Sequence, residues 1–126
     1  MRAVDTNVVV RLLVRDDPHQ AEIADHFIEK GAWVPLLALA ETVWVLESVY
    51  ERTPKQLAHA VEMLMRHEYL TLQDEDAVGA ALALFRDRPS LGFSDCLMLE
   101  LARKSGHLPL GTFDRGLAKS SGAHKL

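Results

Sequence analysis

Residues 1–14 read MRAVDTNVVVRLLV, a short apolar stretch that one acidic residue separates from a longer apolar stretch. Residues 1–4 predict a short buried strand, and residues 7–14 predict a helix rich in Val and Leu. Asp5 therefore stands where a strand hands over to a helix.

Strands and helices alternate along the rest of the chain. The other strands are predicted at residues 32–34, 69–72, 107–113 and 123–126, and the other helices at about residues 18–30, 36–50, 54–64, 74–88 and 93–104. This alternation predicts an α/β fold with a mostly parallel sheet of four to five strands and helices on both faces. No repeat or linker divides the chain, so a single domain over residues 1–126 is expected.

The sequence makes more specific predictions about one helix and one strand. The helix at residues 36–50 has apolar side chains around most of its circumference, which predicts that it is largely buried. Pro109 lies inside the fourth strand, where its missing N–H is poorly tolerated, so the regular part of that strand should be short and begin after it.

The composition excludes several classes of protein. With 48% hydrophobic and 25% charged residues in 126, the chain is globular rather than disordered. Cys96 is the only cysteine and is expected to be a small buried side chain, with no disulfide framework. The chain shows no signal-peptide pattern, and its longest apolar run, residues 34–40, is too short to span a bilayer. A cytoplasmic protein without a membrane partner is the expectation.

Three further acidic residues resemble Asp5 in their placement. Glu41 lies in an apolar helical run, Asp95 opens the last long helix, and Asp114 follows the fourth strand. Ligands of open α/β sheets bind outside the carboxyl ends of the strands, where we expect these carboxylates to lie. Such an oxygen-rich site suits Mg²⁺ or Mn²⁺, which can activate water and stabilise charge on a phosphoryl group.

The formal net charge of −4 at first argues against a protein that binds nucleic acid. Without those four acids, the remaining 14 Asp and Glu equal the 14 Lys and Arg, so the chain outside the predicted site is neutral. Bound cations could offset the rest.

Each of the four acids also has a structural explanation. Asp5, Asp95 and Asp114 lie near helix starts, where Asp is favoured as a cap. Glu41 has no such role available, although it could be a surface residue of an amphipathic helix. The two explanations remain open at this point for each residue taken singly.

Taken in order, the motifs resemble those of PIN domains, and specifically of the VapC toxins of prokaryotic toxin–antitoxin pairs. The resemblance covers the whole chain and rests on Asp-Thr-Asn at residues 5–7, the helical Glu41, Ser-Asp-Cys at 94–96, and Thr-Phe-Asp-Arg-Gly-Leu-Ala at 112–118. It implies a three-layer α/β sandwich and a ribonuclease that hydrolyses RNA with a metal-activated water. The implied ligands of Mg²⁺ or Mn²⁺ are Asp5, Glu41, Asp95 and Asp114. A cognate antitoxin and a homodimer are also implied.

One position departs from this pattern. Some members of the family carry a further acid two residues after the last Asp, and here that residue is Gly116. One metal site is therefore expected, and a second is left open.

Polar and basic residues near the acids are candidates for supporting roles. Four could orient carboxylates or bound water: Thr6, Asn7, Ser94 and Thr112. For Thr6 a capping role is an equal alternative, and Ser94 is predicted to cap its helix and so fix Asp95. Four basic residues are candidates for phosphate contacts, with solvated surface charge as the alternative: Arg11, Arg15, Arg115 and Lys119.

Two other functions compete with a nuclease. The chain could be a non-catalytic partner of an antitoxin that keeps the same fold. It could also be a phosphatase or receiver-like domain, since these use an Asp at the end of the first strand. That class usually has a second acid two residues later, where this chain has Asn7.

Overall fold

Five short strands and seven α-helices make up the fold in the computed structural model, which describes residues 1–126. The chain divides into two units, residues 1–75 and residues 76–126. The first unit contains β1 Arg2–Ala3, α1 Thr6–Val14, α2 Pro18–Ile28, β2 Ala32–Val34, α3 Leu36–Ser48, α4 Pro54–Arg66 and β3 Leu70–Leu72. From the unit boundary onward follow α5 Glu75–Asp87, a 3₁₀ turn Pro89–Leu91, α6 Phe93–Lys104, β4 Leu110–Thr112, α7 Arg115–Ala118 and β5 Ala123–Lys125.

All strand pairs are parallel, which confirms the predicted class. In the first unit the strand order is β1-β2-β3, with Ala3 opposite Trp33 and Trp33 opposite Thr71. In the second unit β4 pairs with β5, with Gly111 opposite His124. Four to five strands were predicted, and five are present. They form a three-stranded sheet and a two-stranded sheet.

Helix starts in the first unit follow from the sequence. Asp17 caps α2 through a 3.0 Å bond from Gln20 N, and Pro18 takes the first helical position. Thr53 and Gln56 form a reciprocal capping box at the start of α4, in which each side chain accepts from the other residue's backbone N–H. These caps satisfy N–H groups that the helices leave unpaired.

Two predictions about burial are wrong. Arg2 and Ala3 are exposed, since β1 is an edge strand with β2 as its one neighbour, and only Val4 after it is buried. In α3, Leu37 is 72% exposed and Trp44 is 65% exposed. The helix carries more apolar side chains than its contacts with α1 and α4 can cover, so an apolar face remains open to solvent.

The boundaries around the second pair of strands agree with expectation. The regular part of β4 begins at Leu110, directly after Pro109, as the missing N–H predicts. The fifth predicted strand is present at Ala123–Lys125. No helix of the chain has both the length and the apolar character needed to cross a bilayer.

Candidate functional site

Asp5 lies two residues after the end of β1 and caps α1. Its Oδ1 accepts a hydrogen bond from Val8 N at 3.2 Å, which confirms the capping role that the sequence allowed. The side chain is exposed, and its other oxygen, Oδ2, has no protein donor. Capping therefore fixes the carboxylate and still leaves one oxygen available to a ligand.

Glu41 lies near the start of α1, although 35 residues separate it from Thr6. The Thr6 hydroxyl, Oγ1, donates to Glu41 Oε1 at 3.3 Å. Helices α1 and α3 pack together, so the residue that follows Asp5 contacts the mid-helix glutamate directly. The first unit thus joins two parts of the predicted site through Thr6.

Asp95 is the one half-buried carboxylate of the four. It lies in the first turn of α6 and accepts no hydrogen bond from a protein donor. Burial raises the pKa of the Asp95 carboxyl, and the negative charge of Asp114 raises it further. The second unit therefore places these two acids close enough to repel each other.

Asp114 caps the short helix α7. Its Oδ1 accepts from Gly116 N at 2.8 Å and from Leu117 N at 3.4 Å, and its own backbone N donates to Thr112 Oγ1 at 3.0 Å. Thr112 thus contacts the backbone of the turn that carries Asp114, and its supporting role at the carboxylate stays a prediction. As with Asp5, the cap leaves Oδ2 free and the side chain exposed.

The predicted capping role of Ser94 is wrong. Helix α6 begins at Phe93, its cap position is Gly92, and the exposed Ser94 makes no capping bond. Gly92 has a φ of 81°, a conformation that glycine adopts without strain, and the preceding 3₁₀ turn starts at Pro89. The buried Phe93 fixes the start of the helix in place of a serine cap.

Gly116 occupies the position at which a further acid was considered in the sequence analysis, and it is tightly enclosed. A Cβ added there would lie 3.3 Å from Asp114 Oδ1 and 3.6 Å from a methyl carbon of Leu91. A larger side chain at position 116 would therefore require the Asp114 carboxylate, which caps α7, to shift by a few tenths of an ångström.

The four basic residues predicted for phosphate contact differ in their availability. Arg11 forms an ion pair with Asp16 at 2.5 Å, and Arg15 forms a two-pronged pair with Asp25 at 2.6 and 3.0 Å. By contrast, Arg115 and Lys119 are exposed and have no carboxylate partner. Asn7 is exposed and makes no side-chain bond within the protein.

The carboxylates supply only oxygen ligands, a set that suits hard divalent cations such as Mg²⁺ and Mn²⁺. No three or more His, Cys, Asp or Glu side chains of the chain are grouped closely enough to hold a metal ion. The available oxygens belong to Asp5 and Glu41 in the first unit and to Asp95 and Asp114 in the second. Cys96, next to Asp95, is buried as predicted, and burial raises the pKa of its thiol to about 11.

Arg88 contributes to this region and was missed by the sequence reasoning. It lies just after α5 and donates through Nη1 to Ser120 Oγ at 2.8 Å and through Nη2 to the Gly116 carbonyl at 3.1 Å. Gly116 is therefore held on both sides, by Arg88 at its carbonyl and by Asp114 at its N–H. A partner 28 residues away leaves no signal in the spacing of the sequence.

Comparison with known protein families assigns the chain to a family. The family model described as PIN domain matches residues 2–122, which span both units and include all four acids. Comparison with curated proteins gives no match. PIN-domain nucleases bind nucleic acid and usually use divalent metal ions. The chain belongs to the PIN domain family, and its function is of the nuclease type.

Proposed function

We propose that the protein is an endoribonuclease dependent on Mg²⁺ or Mn²⁺ and the toxin of a type II toxin–antitoxin pair. In this proposal Asp5, Glu41, Asp95 and Asp114 together hold the cation beside an RNA phosphodiester. The cognate antitoxin, a homodimer and a cytoplasmic location belong to the same proposal, and their support is the resemblance of the motifs to VapC toxins.

The half-burial of Asp95 without a compensating partner is the observation that most favours a catalytic role. A half-buried carboxylate normally has a donor or a cation to compensate for lost hydration, and Asp95 has neither. The negative charge of a second carboxylate, Asp114, also acts on it and makes ionisation harder. Such uncompensated groups are concentrated at functional sites, where a ligand supplies what the protein lacks.

The other carboxylates are held in place by neighbours. Backbone N–H groups at helix starts orient Asp5 and Asp114, and the Thr6 hydroxyl orients Glu41. Each of these contacts uses one oxygen of the carboxylate and leaves the other free. A divalent cation bound by the free oxygens would stabilise the negative charge that develops on the phosphoryl oxygens during hydrolysis.

Cleavage of labelled RNA, followed together with thermal stability, tests the proposal. Mn²⁺ should permit cleavage and raise the melting temperature, because a ligand at 100 times its Kd stabilises by about 2.7 kcal/mol, and EDTA should reverse both effects. Stabilisation without cleavage would indicate the non-catalytic alternative. If Mn²⁺ changes neither quantity, the metal site is wrong, and cleavage of DNA in preference to RNA would overturn the ribonuclease assignment.

Thr6→Val removes the hydroxyl that donates to Glu41 and keeps the shape of the side chain. We expect RNA cleavage to fall by roughly 10–100-fold, as is usual when a group that orients a metal ligand is lost. Stability should change by less than about 0.5 kcal/mol, because the Thr6–Glu41 contact is exposed to solvent.

Thr6→Ser is the matched variant, since it restores the donor, and it should recover most of the cleavage rate. Glu47→Gln changes an exposed acid elsewhere on α3 and should leave the rate unchanged. Equal rates for Thr6→Val and the unmodified protein would show that Thr6 does not position Glu41 for the reaction.

A further inference from the structure

The net charge of the protein is distributed unevenly between its two units. Residues 1–75 contain seven Lys and Arg against thirteen Asp and Glu, whereas residues 76–126 contain seven against five. The acidic character of the whole chain thus belongs to the first unit. The second unit has a small excess of positive charge.

A cleft of about 440 Å³ in the second unit collects much of this positive charge. Its walls carry Arg88, Arg103 and Lys119, one acid, Glu100, and the hydroxyls of Ser120 and Ser121. Three cations against one carboxylate leave an excess of two positive charges.

Arg88 and Ser120 form the inner part of the cleft. Arg88 is half-buried, and both of its side-chain hydrogen bonds are to neutral oxygens, Ser120 Oγ and the Gly116 carbonyl, so no carboxylate balances its charge. Ser120 is only 8% exposed, and its hydroxyl accepts from Arg88 but donates to no protein group. A nearly buried hydroxyl donor beside an unbalanced guanidinium is an arrangement that an anionic oxygen would complete.

The outer part of the cleft is formed by Arg103 and Lys119. Arg103 Nε contacts both carboxylate oxygens of Glu100 at 3.2 and 3.3 Å, and its Nη2 donates to the Ser121 carbonyl at 2.6 Å. These contacts hold the guanidinium plane while its Nη1 makes no bond to the protein. Lys119, at the end of α7, is exposed and has no carboxylate partner.

We infer that this cleft binds a phosphate group of the RNA backbone at a distance from the bond that is cleaved. The inference rests on the proposed ribonuclease activity for the identity of the ligand. Helix α6 carries Asp95 in its first turn and Arg103 in its last, so the two are separated by roughly 12 Å along the helix axis. Helix α7 likewise carries Asp114 at its start and Lys119 at its end. An RNA strand lying along both helices would meet the acids at one end and the cleft at the other.

The test measures the binding of a fluorescent single-stranded RNA by fluorescence anisotropy. All variants carry Asp95→Asn, and the buffer contains EDTA, so that the RNA is not cleaved during the measurement. A lost phosphate contact on a single strand lowers the slope of log K against log salt by about 0.7, which corresponds to roughly eightfold weaker binding at 50 mM salt. Lys119→Gln and Arg103→Gln should each show this loss, and Lys119→Gln removes no contact within the protein.

Lys125→Gln is the matched control, because it removes the same charge from the same unit outside the cleft, and it should retain the full slope. Equal loss in Lys125→Gln and Lys119→Gln would overturn the inference in favour of a diffuse effect of net charge. Displacement of the RNA by AMP or inorganic phosphate at equal concentration would also overturn it, since the cleft would then recognise a free phosphate.

The experiments distinguish an error in the inferred phosphate site from an error in the proposed ribonuclease activity. Lys119-dependent binding without any RNA cleavage by the unmodified protein would uphold the cleft and reject the nuclease reaction. Cleavage that depends on Mn²⁺, with binding unaffected by Lys119→Gln and Arg103→Gln, would reject the cleft alone.

Discussion

Asp95→Asn is expected to abolish RNA cleavage, with a rate at least roughly 100-fold below that of the unmodified protein, while the folded state becomes no less stable. The activity should be lost because the amide supplies no negative charge to the bound cation. The stability should be kept because the change relieves the burial of a charge and its repulsion by Asp114. Cleavage rates and urea unfolding of the same two proteins measure the two effects.

The stability difference should depend on pH in a defined direction. The pKa of the Asp95 carboxyl is raised in the folded protein, so the folded state holds this proton more tightly than the unfolded chain does. Its contribution to stability is therefore greatest in acid, falls as the pH rises from the unfolded pKa through the folded pKa, and is constant above that. Asparagine does not titrate, so its advantage should grow over the same interval.

Asp87→Asn is the control for cleavage, since it alters an exposed acid in the same unit and should leave the rate unchanged. An Asp95→Asn protein that cleaves RNA at the normal rate would remove Asp95 from the mechanism. A variant that is inactive only because it has unfolded would contradict the account of its electrostatics.

Phe85→Ala is expected to lower the free energy of unfolding by about 3–5 kcal/mol, the usual cost of removing a buried aromatic ring. Phe85 is 2% exposed, and its ring meets that of Phe93 edge to face, with centroids 5.9 Å apart. Because Phe93 is the first residue of α6, the variant should also loosen the turn that carries Asp95. Chemical denaturation gives the stability, and hydrogen exchange of the α6 amides reports the local effect.

Phe113→Ala provides a matched comparison in the same unit. It removes the same side chain at a site that is 77% exposed, and its cost should stay below about 0.5 kcal/mol. Similar losses in the two variants would show that the contact between Phe85 and Phe93 does not organise the second unit.

Several parts of the fold could be predicted because local chemistry determines them. Helix α6 occupies the predicted residues 93–104, since its apolar run is closed by Ser105 and Gly106. The start of β4 after Pro109 follows from one missing N–H. The exposure of Leu37 and Trp44 could not be foreseen, because an apolar face in the sequence does not reveal whether the chain has enough partners to cover it.

The sequence suggested which residues form the candidate site, but it did not predict the contacts that these residues make. The sequence posed helix capping and ligand binding as alternatives for Asp5 and Asp114, yet a carboxylate has two oxygens and each cap uses only one. The site residues and their metal stay a prediction, whereas membership of the PIN domain family is confirmed. The roles of Thr6 and Arg88 depend on tertiary contacts across 35 and 28 residues, which spacing along the chain does not encode.

The crowding around Gly116 restricts how this protein can change during evolution. A new carboxylate there would bring its Cβ to 3.3 Å from Asp114 Oδ1, so the Asp114 side chain would have to shift by a few tenths of an ångström. The acid gained would disturb Asp114, which we propose as a metal ligand, and the helix cap formed by Asp114 would weaken with it. A descendant that acquires a further acidic ligand by one substitution at this position therefore begins with a handicap.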